Sequence, residues 1–251
     1  MMARKLILLI LAGVLVISGC NRRANLPEPD YGYTITGTVV KNLDTNQLLV
    51  IANLKRNDTT FNRAVLSIRS DTLENLANQY IYTYHDTADL RAGNYYLKIN
   101  DTSQAWFDSV AFTVPTDVAI DAVTGVTADR IFRSSDIVYV SFLISLNSDG
   151  YMYSVVDEDS TYSGKGFTEF VPFEATSVAL NRNEINMPDA VDDTIHYQVY
   201  IYSYTGSPVS TNFLPSPIPD GLTPNINRLE FSGQFGVVVV SPRDSLNAVT
   251  Q

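Results

Sequence analysis

One cysteine, one tryptophan and two histidines in 251 residues leave little reactive material. A lone cysteine excludes a disulfide framework and any Cys-based zinc cluster within the chain. Two histidines are too few for a His-rich metal site. Basic side chains are the minority: 17 Lys and Arg stand against 27 Asp and Glu, a net charge of −10. That balance speaks against a broad nucleic-acid surface. The hydrophobic share of 45% is that of a globular protein and excludes a wholly disordered chain. A helix crossing a bilayer needs ~20 apolar residues. The N-terminal apolar run, Leu6 to Val16, has eleven.

That run has a different meaning. Arg4 and Lys5 precede it as a short positive segment, and Ile17-Ser18-Gly19-Cys20 closes it. A charged start, a short apolar stretch and a small-residue end make a secretory signal. The ending resembles the bacterial lipobox: a branched apolar residue, two small residues and a cysteine. The resemblance implies cleavage before Cys20, lipidation of its thiol and a stable membrane anchor, since each buried CH₂ contributes ~0.8 kcal/mol. A plain secretory signal with a chance cysteine is the alternative. The chain from Cys20 onward keeps 15 basic and 27 acidic side chains, a net charge of −12. Arg22 and Arg23 would sit beside anionic headgroups. Asn21 stands where the enterobacterial pattern uses Asp to retain lipoproteins at the inner membrane, which favours the outer membrane. Residues 21–32, with Pro27 and Pro29, read as an extended tether.

From Tyr33 the sequence alternates with period two between turn clusters, the pattern of half-buried strands. Six segments qualify in the first half: Tyr33 to Val40, Leu48 to Leu54, Ala64 to Ile68, Tyr80 to Tyr84, Asn94 to Ile99 and Phe107 to Val114. Thr72 to Asn78 is the one plausible helical turn. Val114-Pro115-Thr116-Asp117 reads as a boundary. The second set is Ile137 to Ser145, Tyr151 to Val156, Phe167 to Phe173, Ser177 to Leu180, Ile195 to Tyr204 and Val237 to Val240. The last of these reads as an edge strand that another chain could pair with, or that is covered. Residues 206–224 carry five prolines and read as a long loop or edge-crossing segment. Arg243 to Gln251 reads as a frayed tail. Short strands at this spacing suggest sandwiches, in which two sheets bury one face of every strand.

Two segments sharpen this. Leu90 to Ile99 places Tyr95, Leu97 and Ile99 on one face after a tight corner. It is similar to the corner before strand F of immunoglobulin-like domains, where a Tyr hydroxyl ties back to the backbone. Tyr197 to Gly206 resembles the equivalent strand of fibronectin type III-like domains, with Ser203 in the small position. The early Trp of that family and the immunoglobulin Cys pair are absent, which allows a different sandwich topology. The expected chain is therefore all-β: a signal peptide (1–19), a lipidated Cys20 with tether (20–32), and two tandem antiparallel β-sandwich domains. The first spans 33–116 and is immunoglobulin-like. The second spans 117–251 and is fibronectin type III-like.

Candidates for chemistry are few. His85 and His196 lie at strand ends without a partner visible in sequence. Asp157-Glu158-Asp159 with Asp149 could offer hard oxygen ligands but lack EF-hand spacing. Gly164-Lys165-Gly166 is not a phosphate loop, and no nucleophile elbow or zincin motif occurs. The outward tyrosines Tyr200, Tyr202 and Tyr204, with Tyr80, Tyr82 and Tyr84 in the first half, could stack on a ligand or simply pair across strands. Asp-Ser/Thr-apolar triplets recur and put candidate hydroxyls at Thr72, Thr87, Ser109, Thr194 and Ser245. With Thr last, Asp58-Thr59-Thr60 and Asp159-Ser160-Thr161 add to them. The triplet resembles the O-glycosylation acceptor of Bacteroidota envelope proteins; equally, Asp-Ser/Thr starts strands after turns. The expectation is a non-catalytic envelope lipoprotein without cofactor or metal. It would be held to the membrane at Cys20, bind another envelope protein or a polysaccharide, and bind no nucleic acid. A carbohydrate-binding lipoprotein of a glycan uptake system is one alternative. A hydrolase assembled from His196, Asp192 or Asp193 and a distant Ser is the other.

Overall fold

The computed structural model describes residues 32–133, 136–172, 174–181, 185 and 193–249. The first half carries β1 (Tyr33–Asn42), β2 (Gln47–Arg56), β3 (Thr59–Thr60), β4 (Val65–Ile68), β5 (Asp71–Thr72), β6 (Glu74–Leu76), β7 (Gln79–Tyr84), β8 (Gly93–Asp101) and β9 (Trp106–Val114). The second half begins with β10 (Ala119–Thr124), β11 (Ile131–Phe132), β12 (Val138–Leu143), β13 (Gly150–Asp157), β14 (Phe167–Phe170) and β15 (Ser177–Leu180). It ends with β16 (Thr194–Gly206), β17 (Ile226–Arg228), β18 (Phe231–Val240) and β19 (Asp244–Val249). Two 3-10 turns, Thr87–Asp89 and Glu158–Ser160, are the helical elements among the described residues.

Layered sets of strands lie before and after the link between β9 and β10, in two sandwiches. In the first, β1, β2, β7 and β6 form one layer and β5, β4, β8 and β9 the other. In immunoglobulin lettering these are A-B-E-D over C′-C-F-G. The expected tyrosine corner is present: the Tyr95 hydroxyl donates to the Arg91 carbonyl at 2.9 Å. In the second sandwich, β10, β12 and β15 face β14, β13 and β16, with β18 and β19 sharing the far edge of β16. Val138, Val140 and Phe142 point inward from β12, and Tyr197, Val199 and Ile201 meet them from β16.

The two layers that carry β1 and β18 are one sheet. β1 and β18 run parallel through ten register pairs, from Tyr33↔Phe231 to Asn42↔Val240. The expectation of antiparallel pairing is corrected here and at β11 with β19, also parallel. Side-chain ties reinforce the junction. Lys41 Nζ lies 2.6 Å from Asp117 Oδ1. The Thr205 hydroxyl donates to the Thr113 carbonyl at 2.5 Å. Arg228 pairs with Asp108 and donates to the Ser109 carbonyl at 2.9 Å, which holds β17 against β9.

Four further expectations change. Thr72 to Asn78 is β5 and β6, because Ala77 and Asn78 adopt φ of 50° and 70° between the paired Leu76 and Gln79. Two positive-φ residues in a two-residue loop make the primed turn that suits a hairpin. Val237 to Val240 is central, lying between β16 and β1. The C-terminal segment Asp244–Val249 is β19, paired with β16 and β11 and burying Leu246 and Ala248. Residues 207–225 are a non-strand segment, as expected, but they cover a sheet face and cross no edge. Val40, Leu49, Ile51, Val238 and Val240 pack with Leu214 and Ile218 beneath it. Thr38 Oγ1 exchanges 2.7 Å hydrogen bonds with the carbonyl and amide of Val209.

The chain enters the first sandwich at a buried carboxylate. Asp101 accepts from the Tyr33 hydroxyl at 2.6 Å and from the Ser103 hydroxyl and amide at 2.6 and 2.9 Å. Arg56 lies 3.9 Å away, over the Tyr33 ring. Burial would raise the Asp101 carboxyl; the Ser103 and Tyr33 hydrogen bonds and the Arg56 charge outweigh it and hold the group below its ordinary value. A lowered folded-state pKa contributes stability above the unfolded value of about 3.9, lost as pH falls through the folded value. Asp101→Ala is expected to cost about 1–3 kcal/mol at neutral pH. The cost should be smaller in acid than at neutral pH, read by urea unfolding at pH 7 and pH 3. A cost independent of pH would assign the carboxylate no such role.

Gly233 has φ of 142°, and a Cβ there would lie 1.9 Å from the Ile35 carbonyl oxygen in the β1–β18 ladder. Gly164 also has positive φ (75°) but open space around it. Gly164→Ala is expected to cost about 1 kcal/mol of backbone strain. Gly233→Ala should cost clearly more, because β1 and β18 must part. Thermal melts of the two variants decide this.

Candidate functional site

An apolar groove opens at the end of the second sandwich. Its volume is about 490 Å³. One wall is the turn from β12 to β13. Asn147 there takes φ of 64°, and the run Asn147-Ser148-Asp149-Gly150 is the turn read from the sequence. Gly150 is required by close approach: a Cβ would lie 2.7 Å from the Tyr204 hydroxyl. Its absence lets Tyr204 close the floor beside Tyr151 and Phe170. The opposite wall is the loop after β14, with Pro172, Glu174 and Ala175.

Tertiary hydrogen bonds hold this turn. The Tyr151 hydroxyl accepts from the Ser145 amide at 2.8 Å and donates to its carbonyl at 3.0 Å. Leu146 exchanges hydrogen bonds with Thr116: its amide donates to Oγ1 at 2.7 Å, and its carbonyl accepts from the Thr116 amide at 3.1 Å. Asp149 Oδ2 accepts from the Gly206 amide at 2.7 Å, and the Asp149 amide donates to the Tyr204 carbonyl at 2.8 Å. Burial, and then the Asp149 charge, raise the Tyr204 phenol above its ordinary value. Ile144 and Leu146 stand 62% and 64% exposed at the rim, so the groove is preformed with its apolar lip uncovered.

The sequence candidates are placed as follows. Cys20 and Asp192 lie outside the described residues. The proposed tyrosine platform is corrected. Tyr200 and Tyr202 are fully buried under the segment after β16, and burial pushes both phenols up. The Tyr202 hydroxyl accepts from the Ser216 amide at 3.0 Å, and the Tyr200 hydroxyl donates to Gln198 at 2.7 Å. Tyr204 alone of the three reaches the groove. In the first half, Tyr80 is buried with its hydroxyl on the Phe61 and Ala64 carbonyls, and burial lifts Tyr84 to about 12.

His85 follows β7 on the surface; His196 Nδ1 lies 2.8 Å from Asn247 Oδ1. Asp157 is spent as the cap of the 158–160 turn, accepting from the Asp159 amide at 3.0 Å. Among the described residues, no group of three or more His, Cys, Asp and Glu side chains has metal-holding geometry. Of the triplet hydroxyls, Thr72, Thr194 and Ser245 are exposed, whereas Thr87 and Ser109 are half-buried. Thr87 Oγ1 is engaged with Asn46 at 2.9 Å, and Asp108 of the Ser109 triplet is engaged with Arg228.

Sequence reasoning missed Ile144, Leu146, Phe170 and Glu174 as groove residues. The signal available was the uncharged run Ile137 to Leu146, which is longer than one strand needs.

No protein-family profile matches the chain, and no curated protein matches it. Solved structures with some similarity include the FN1–FN3 domains of chicken CNTN1, at 12% identity and TM-score 0.34, covering 88% of this chain and 67% of that one. Alpha-2-macroglobulin of Escherichia coli, activated by porcine elastase, is similar at 10% identity and TM-score 0.26, over 87% of this chain and 20% of that one. The titin domains z1z2 in complex with telethonin are similar at 9% identity and TM-score 0.22, over 87% and 97% of the two chains.

Proposed function

We propose that this chain is a non-catalytic, lipid-anchored scaffold of a bacterial envelope, which holds a binding surface away from the membrane. The single observation that carries the reading is the position of the only cysteine. Cys20 closes a signal-like segment, and twelve residues (21–32) separate it from the first strand. An acylated cysteine there tethers the chain at the point where β1 enters the fold. The shared β1–β18 sheet supports a display role, because it couples the second sandwich to the strand nearest the anchor. Asn21 favours the outer membrane as the site of display. The partner is another envelope protein.

Metabolic labelling with an alkynyl palmitate tests the anchor. The wild-type chain is expected to carry the label and fractionate with membranes. Cys20→Ser should lose the label and shift most of the chain to the soluble fraction. An unlabelled, soluble wild type would overturn the reading.

A further inference from the structure

We propose that the groove at the end of the second sandwich binds an extended peptide segment of a partner protein, one that alternates apolar with basic side chains. This rests on the reading of the chain as a binding scaffold and names the surface and chemistry it would use. The apolar part comes from the rim. Large hydrophobic side chains standing about half or more exposed concentrate between Ile137 and Leu146, where Ile137, Tyr139, Leu143, Ile144 and Leu146 all qualify. Ile144 and Leu146 face the groove, above Tyr151, Phe170 and Tyr204. Exposed apolar area grouped in this way marks an interaction site, and covering it favours apolar side chains over hydroxyl-rich ligands.

The basic part comes from charge. Asp149 and Glu174 are the charged side chains that line the groove, from opposite walls, and no Lys, Arg or His joins them among the described residues. Asp149 uses Oδ2 on the Gly206 amide, which leaves Oδ1 to accept from a ligand. A cation between two carboxylates gains from both, whereas an acidic ligand meets like charge from both walls. The net charge of −10 adds a field of the same sign. The wall formed by the β12–β13 turn is held by the Ser145–Tyr151 and Leu146–Thr116 hydrogen bonds, so binding needs little ordering of that wall.

Fluorescence polarisation of the full chain tests this. The probe is a fluorescein-labelled pentapeptide of leucines alternating with one lysine and one arginine. Its counterpart carries glutamate in both basic positions, and maltohexaose serves as competitor. The basic peptide should bind, and bind more weakly as salt rises; the acidic one should not. Glu174→Lys and Leu146→Asn should each weaken binding at least tenfold. Leu229→Asn, at a 99% exposed position outside the groove lining, should leave it unchanged. Circular dichroism identical to wild type keeps the variants interpretable. No binding of the basic peptide, equal binding of the acidic one, or unchanged affinity in both groove variants would overturn the proposal. Displacement by maltohexaose would overturn it in favour of a saccharide. The assay reads no lipid, so failure here and failure at Cys20 are separate outcomes.

Discussion

Ten residues of β1 lie in parallel register with ten residues of β18, and most of the architecture follows from that ladder. Each sandwich closes on its own core by the usual device of inward-facing alternate residues. The ladder does something more: it makes the first strand of one sandwich and a late strand of the other neighbours in a single sheet. A parallel pair requires a long connection between its strands. Here the connection is residues 43–230, which carry the other strands of the first sandwich and most strands of the second.

A joined sheet has two faces to cover. One face is served by the opposing layers, where Phe231 and Phe235 from β18 meet Trp106 and Phe112 from β9. The other would leave Val40, Ile51, Val238 and Val240 bare at the junction. The proline-bearing segment after β16 resolves this by lying across them with Leu214 and Ile218. Five of its residues are prolines, which lack an N–H to satisfy and suit a covering segment without a ladder. The same cover explains why Tyr200 and Tyr202 serve packing and hydrogen bonding within the fold. Their rings and hydroxyls fill the space between sheet and cover.

The groove has a different origin. It forms where β12 ends and the chain turns back into β13, with Phe170 and Tyr204 linking it to the cluster beneath that cover. Tyr204 is at the same end of β16, which is why it alone of the three tyrosines faces open space. The Leu146–Thr116 bond ties the groove wall to the end of the first half, and the Asp149–Gly206 bond ties it to β16. Shared sheet and groove thus lie on one continuous path of strands, from β1 through β18 and β16 to β13.

Period-two alternation is a local property, and it was enough to locate strands: each of the twelve segments named from alternation falls on a strand, though β18 begins at Phe231, well before Val237, and β14 ends at Phe170. Local chemistry likewise determined the tyrosine corner at Tyr95 and the turn at Asn147 to Gly150. What alternation cannot carry is whether a strand's second face meets solvent, because the covering atoms come from far along the chain. Thr38 meets Val209 across 171 residues, and no window around either reveals it. Val237 to Val240 shows the ambiguity: four consecutive valines suit a strand buried on both faces, yet the same run read alone allows an edge. The Asp244–Val249 strand was illegible for the same reason, since its pairing depends on β16 and β11 being in place. Sequence settled the alternating strands and which of their side chains share a face; only the packing of distant segments decided that the tyrosine face is interior and that the open apolar surface lies at Ile144 and Leu146.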